Sequence, residues 1–198
     1  EVQERHFYQP LVQHQLVFRT NLDRRILDDI NVSLGFVVFL QSPNDPESES
    51  TLMVPELRTD FGFNAKKKYK YFNVNQRFKV EARFFHQTEN NELVGGYQFS
   101  NFRMRYQLGL DIPLIKKQDA EKLILKIKDE VMFNFGKNIV KNVFDQNRIY
   151  IGLNYPMNKN LAFEAGYLNW FQQRPSGTDF YNRDIIRFSV FHTINLKK

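Results

Sequence analysis

The chain has 198 residues, which points to one domain, large enough to bury a core without crosslinks. It contains no cysteine, which excludes a disulfide framework, a thiolate zinc site and a cysteine nucleophile, and only four histidines, His6, His14, His86 and His192. The formal net charge of +6 suits nucleic acid and anionic lipid equally.

Phenylalanine is abundant, 20 of 198 residues, yet the mean hydropathy is −0.52. A chain that alternates apolar and polar residues averages to such a value whether its apolar face meets a core or a bilayer. The longest apolar run, Phe36 to Leu40, is too short for a membrane helix. No signal-peptide pattern is present, and a start at Glu1 without Met reads as a processed or truncated chain.

Glu1 to His6 reads as the tail of a strand, Pro10 closes a short link, and Leu11 to Thr20 is the second strand, with Leu16 and Phe18 opposite Gln13, Gln15 and Arg19. Asn21 to Asp29 is expected as a polar turn. From Ile30 to Gln41, Ile30, Val32, Leu34, Phe36, Val38 and Leu40 share one face and Asn31, Ser33 and Gly35 the other. Ser42 to Ser50 is a polar loop. In Val54 to Asn64, Leu57, Phe61 and Phe63 oppose Glu56, Arg58, Asp60 and Gly62.

The alternation is strongest from Tyr71 to Gln87, where Phe72, Val74, Phe78, Val80, Ala82 and Phe84 face away from Asn73, Asn75, Arg77, Lys79, Glu81 and Arg83. A loop is expected over Thr88 to Phe99. Ser100 to Leu114 repeats the pattern, with Phe102, Met104, Tyr106, Leu108, Leu110 and Ile112 against Asn101, Arg103, Arg105, Gln107, Gly109 and Asp111. In Leu123 to Gly136 the charged set is Lys126, Lys128 and Glu130; Asp129 falls on the apolar side, where a bulge or an interface is expected. Strands follow at Asn147 to Tyr155, Leu161 to Gln172 and Asp184 to Leu196.

Connections alternate between short ones (Asn21–Asp29, Lys66–Lys70, Lys116–Lys122, Pro156–Asn160) and longer ones (Ser42–Met53, Thr88–Phe99, Lys137–Gln146, Arg174–Arg183). Aromatics gather near strand ends: Tyr69, Tyr71 and Phe72 at one side, Tyr97, Phe99, Trp170 and Phe171 at the other. Short turns on one side, long loops on the other and aromatic girdles describe an antiparallel transmembrane β-barrel of about ten strands. It would be a single domain spanning residues 1–198, its first strand truncated, with periplasmic turns and extracellular loops. The alternative is a soluble β-sandwich with its charged face in water.

Several ordered motifs carry a family likeness: Glu56-Leu57-Arg58, Asn75 to Phe84 (NQRFKVEARF), Asn101 to Leu110 (NFRMRYQLGL), Asp129-Glu130-Val131, Phe144 to Leu153 (FDQNRIYIGL) and Glu164 to Leu168 (EAGYL). From Glu56 onward the chain resembles the DUF2490 family; before Leu52 it matches only in pattern. The resemblance implies an outer-membrane β-barrel of a Gram-negative bacterium, of a kind common in the Bacteroidota, and supplies no reaction.

The polar face gathers acids at Glu56, Asp60, Glu81, Asp111, Glu130 and Glu164 and bases at Arg58, Arg77, Lys79, Arg83, Arg103, Arg105, Lys126, Lys128, Arg148 and Arg187. In a narrow barrel these form a salt-bridged plug, since buried charges need partners; an anion path is the competing use. A catalytic role finds no support in the histidines: His192 and Ser189 have opposite parity, and neither His86 nor His14 has the neighbours of a triad. No phosphate loop or metal spacing is present, the acidic stretch Asp45 to Glu49 reads as solvated, and acids interleaved with bases disfavour nucleic acid. The expected function is that of a structural or accessory subunit of an outer-membrane assembly, without cofactor or metal. Its partners would be outer-membrane lipids, lipopolysaccharide and other outer-membrane proteins, with Asp129 at an interface. A narrow anion-selective channel and a lipid-modifying enzyme are the alternatives.

Overall fold

A computed structural model of the chain describes residues 2–6, 12–43, 48–117, 120–137, 139, 142–174 and 176–192. The Pro10 link, residues 44–47 of the acidic loop and the end of the last expected strand, 193–196, lie outside the described residues.

The described residues form ten strands and no helix: β1 (Val2–His6), β2 (Gln13–Leu27), β3 (Ile30–Gln41), β4 (Val54–Lys68), β5 (Asn73–Glu89), β6 (Glu92–Lys117), β7 (Ala120–Phe135), β8 (Phe144–Pro156), β9 (Leu161–Gln173) and β10 (Phe180–His192). They make one sheet in which each strand lies beside its neighbour in sequence, in the order β1 to β10. The pairing is antiparallel, as connections too short for a crossover require.

The strands reach further than sequence reading expects. The segment Asn21–Asp29 is a turn only at Asp28 and Asp29; β2 continues to Leu27, in register from Asn21↔Gly35 to Arg25↔Asn31 and, after a shift, paired again at Leu27↔Ile30. The ladder to β3 imposes extended backbone on residues whose own preference is for turns. Likewise Thr88–Phe99 is no loop. β5 and β6 run on into an exposed hairpin closed by Asn90 and Asn91, with φ of 49° and 63°. Two successive left-handed residues match a two-residue hairpin turn, and asparagine tolerates that conformation.

Chain contacts define two units. The first comprises Glu1–Phe63, Lys79–Met104 and Asn134–Val140, and the second Asn64–Phe78, Arg105–Phe133 and Lys141–Lys198. Both have the same polarity, opposite to that of a soluble sandwich. In the first, Glu56, Arg58, Asp60, Lys79, Glu81 and Arg103 are buried, while Phe18, Leu34, Phe36, Phe61 and Phe63 are exposed. In the second, Arg105, Glu130 and Glu164 are buried and Tyr106, Ile151, Leu153, Phe163, Ile186 and Phe188 are exposed. Among the described residues buried apolar side chains are few, and Val17, Val37 and Phe39 on β2 and β3 form a cluster of them.

Candidate functional site

The shielded face is a set of carboxylates, each paired with one or more bases on its own strand or on strands up to two away. On β4 of the first unit, Glu56 receives Arg58 (Nε 2.7 Å, Nη2 2.6 Å) and, from β5, Arg83 (Nε 2.6 Å, Nη2 3.2 Å). The Arg58 guanidinium also lies 4.3 Å from the Phe39 ring centre, so its planar face is covered as well as its edge. Asp60 accepts Lys79 Nζ at 2.6 Å. Gly35 makes room there, since a side chain on it would run into the Asp60 carboxyl group. Glu81 on β5 is gripped by Arg103 on β6, Nε at 2.8 Å and Nη2 at 2.5 Å.

The second unit has two hubs. Glu130 on β7 accepts three hydrogen bonds of 2.8–3.0 Å from Arg105 and one of 2.9 Å from Arg77. Glu164 on β9 accepts Tyr150 Oη (2.9 Å), Asn154 Nδ2 (3.3 Å) and Arg187 Nη2 (2.5 Å), with Lys126 Nζ at 3.5 Å. The Tyr150 ring is lodged over Gly152 and Gly166, which face each other across β8 and β9. A Cβ on Gly166 would sit 2.6 Å from the Tyr150 hydroxyl and 2.5 Å from the Ile151 oxygen. Arg187 lies 4.2 Å and Lys128 5.2 Å from that ring. Arg148 lies 4.4 Å and Arg183 5.3 Å from the Trp170 ring.

Of the residues expected in the charge network, Glu56, Arg58, Asp60, Lys79, Glu81 and Arg103 are buried in the first unit and Arg105, Glu130 and Glu164 in the second, while Arg83 in the first and Arg77, Lys128, Arg148 and Arg187 in the second are half-buried. All but Lys128 and Arg148 sort into carboxylate-centred ion pairs within each unit, whereas Lys128 lies over the Tyr150 ring and Arg148 over the Trp170 ring with Nε donating to Gln146 Oε1. The strand pattern puts Tyr150 on the polar face, where it lies, but not its hydrogen bond to Glu164; sequence reading missed Arg183 and misplaced Trp170. Trp170 is no girdle residue; it is buried on the charged face, as its even spacing from Glu164 signals.

Asp129 stays on the exposed apolar face. The register passes through Asp129↔Ile149 without a break; the shift comes later, between Met132 and Phe133, so the expected bulge at Asp129 is not there. Asp129 Oδ1 instead accepts Asn147 Nδ2 at 2.6 Å.

Taken together, the described residues form a ten-stranded antiparallel β-sheet, and in each unit ionic side chains are shielded while large apolar ones are exposed. The model of DUF2490, a family described as proteins of unknown function, matches residues 1–182, and the chain belongs to that family. The match includes the N-terminal strands, where the motifs alone had given only a pattern. No curated protein matches the sequence.

Proposed function

We propose that the protein is a closed ten-stranded β-barrel of the Gram-negative outer membrane, its lumen plugged by ion pairs, serving as a structural or accessory subunit of a larger assembly. The observation that carries this reading is the inverted polarity: ionised side chains are shielded and paired while phenylalanine, leucine and isoleucine are exposed along whole strand faces. Water gives no reason to expose so continuous an apolar surface, whereas a bilayer requires one. No helix among the described residues is long and apolar enough to cross a membrane, so the strands would be the crossing elements.

Closure supplies backbone partners for the edges of β1 and β10, which lipid cannot hydrogen-bond. A barrel of ten strands is little wider than one whose interior is filled by side chains, and here those side chains are arginines and lysines held on glutamates. Outer-membrane lipids and lipopolysaccharide would contact the apolar face. The test is cell fractionation combined with gel migration before and after heating. The proposal requires the protein in the outer-membrane fraction, with a compact, fast-migrating form lost on boiling. Recovery in a carbonate-soluble fraction would overturn it.

A further inference from the structure

The exposed face of β7–β10 can be read row by row from the pairing. Three rows are apolar or aromatic: Tyr155, Phe163 and Val190; Leu125, Leu153, Ala165 and Phe188; Ile127, Ile151, Tyr167 and Ile186. The next row breaks the pattern with Asp129, Ile149, Asn169 and Asp184, and the one after adds Asn147 and Asn182 beside Val131 and Phe171. The polar groups hydrogen-bond one another across the strands. Asp184 Oδ1 accepts Tyr167 Oη (2.5 Å) and Asn169 Nδ2 (3.0 Å), and Asn169 Nδ2 also reaches Asn182 Oδ1 (2.8 Å). Among the described residues neither Asp129 nor Asp184 has a basic partner. This differs from the carboxylate hubs Glu56, Asp60, Glu81, Glu130 and Glu164 of the opposite face, each of which is ion-paired.

We propose that this row is a lateral docking surface for a second, different membrane polypeptide that presents lysine or arginine side chains to Asp129 and Asp184. The inference rests on the barrel reading above and names the partner's chemistry. Position along the strands argues against lipid headgroups as the occupant. Beyond the polar row the face ends in an aromatic cluster, Phe133, Phe144, Phe171 and Phe180, with Phe171 and Phe180 stacked at 4.7 Å. Aromatic fringes mark the bilayer interface. The row lies on the hydrocarbon side of that fringe, about 20 Å along the strand from Tyr155 at roughly 3.4 Å per residue. The chain's own Asn147, Asn169 and Tyr167 supply neutral donors to the carboxylates of Asp129 and Asp184, but acyl chains offer no cation to balance their charge there, so a counter-charge must come from a polypeptide.

Charge argues against a second copy of the chain. The row carries two acids and no base, so a two-fold contact that laid it on itself would set carboxylate against carboxylate. A partner with cationic side chains is the complementary surface, and inside a bilayer that pairing is screened little by salt.

The test is photo-crosslinking of the full chain in its native membrane, with p-benzoylphenylalanine in place of Ile186 beside the row and, as control, in place of Phe61 on the apolar face of β4. The expected result is an adduct from position 186, and none from position 61, to a different polypeptide whose mass-mapped crosslinked peptide contains lysine or arginine. Adding Asp129→Leu and Asp184→Leu should lower the adduct yield at least tenfold and leave the unfolding temperature of the detergent-purified protein unchanged or higher. Adducts to lipid alone, to a second copy of the chain, or of unchanged yield in the double variant would overturn the proposal. So would a lower unfolding temperature, which would assign the row to the stability of the sheet itself. Fractionation of the same cells separates the two readings, because a membrane-embedded protein with only lipid adducts sinks the docking surface and leaves the barrel standing.

Discussion

Glu130 and Arg105 face each other across β7 and β6 with both carboxylate oxygens engaged, Nη2 to Oε1 at 2.8 Å and to Oε2 at 2.9 Å, and Arg77 closes on Oε1 at 2.9 Å. Removing the carboxylate strands two cations on a shielded face. Glu130→Ala should destabilise the protein by about 3–5 kcal/mol, less if water enters, whereas exchanging Glu130 and Arg105 together for apolar residues of similar volume should cost much less. Thermal unfolding in detergent checks both. An undiminished midpoint for Glu130→Ala would show that this part of the face is hydrated.

The Gly152–Gly166 pair makes the second prediction. Gly166→Ala places a methyl group against the Tyr150 hydroxyl, which can move, and against the Ile151 carbonyl oxygen, which cannot. The expected loss is about 1–3 kcal/mol, in the range for overpacking. Tyr150→Leu in the Gly166→Ala background should recover only part of it, because the backbone contact remains. Full recovery in a double-mutant cycle would mean that the tyrosine alone sets the need for glycine.

The turn of the β5–β6 hairpin is set by Asn90 and Asn91, both at positive φ. Asn91→Gly should leave the hairpin intact or firmer. Asn91→Val forces a β-branched residue into the left-handed region at a cost of roughly 1–2 kcal/mol. Limited proteolysis reads the difference as faster cleavage within Glu89–Leu93 for the valine variant, and equal cleavage rates would show that the turn does not depend on these angles.

The parity of the faces was legible from sequence because alternation is a local property: Arg77 to Arg83 and Arg103 to Arg105 lie where a period of two puts them. Strand lengths were not, because β2 beyond Thr20 and the tips of β5 and β6 are extended through pairing to a neighbour rather than through their own side chains. Which base meets which acid was also hidden. Glu130 takes Arg77 and Arg105, separated from it by 53 and 25 residues, a choice made by register between strands. Trp170 shows a different failure, in which its residue type suggested an interfacial anchor while its spacing from Glu164 placed it on the charged face. The polar row around Asp129 was visible as one misplaced acid, and only the pairing of β8, β9 and β10 brings Asn147, Asn169 and Asp184 beside it.

The last prediction concerns conduction. If the barrel closes, the hubs on Glu56, Asp60, Glu81, Glu130 and Glu164 all project into one narrow lumen, and long basic side chains held on them leave no continuous water path. The purified protein in planar bilayers should then show no sustained conductance and turn over no phospholipid. The Glu81–Arg103 pair offers a way to ask whether the ion pairs themselves are the obstruction. Deleting both partners in Glu81→Ala with Arg103→Ala removes the two charges of that pair together, so the fold should survive, while two buried side chains of the first unit are gone. That double variant should pass measurable current where the unsubstituted chain passes none. Steady currents from the unsubstituted protein would make it a channel, and phospholipid turnover would make it an enzyme; either result would remove the accessory role. A silent double variant would place the obstruction elsewhere along the shielded face.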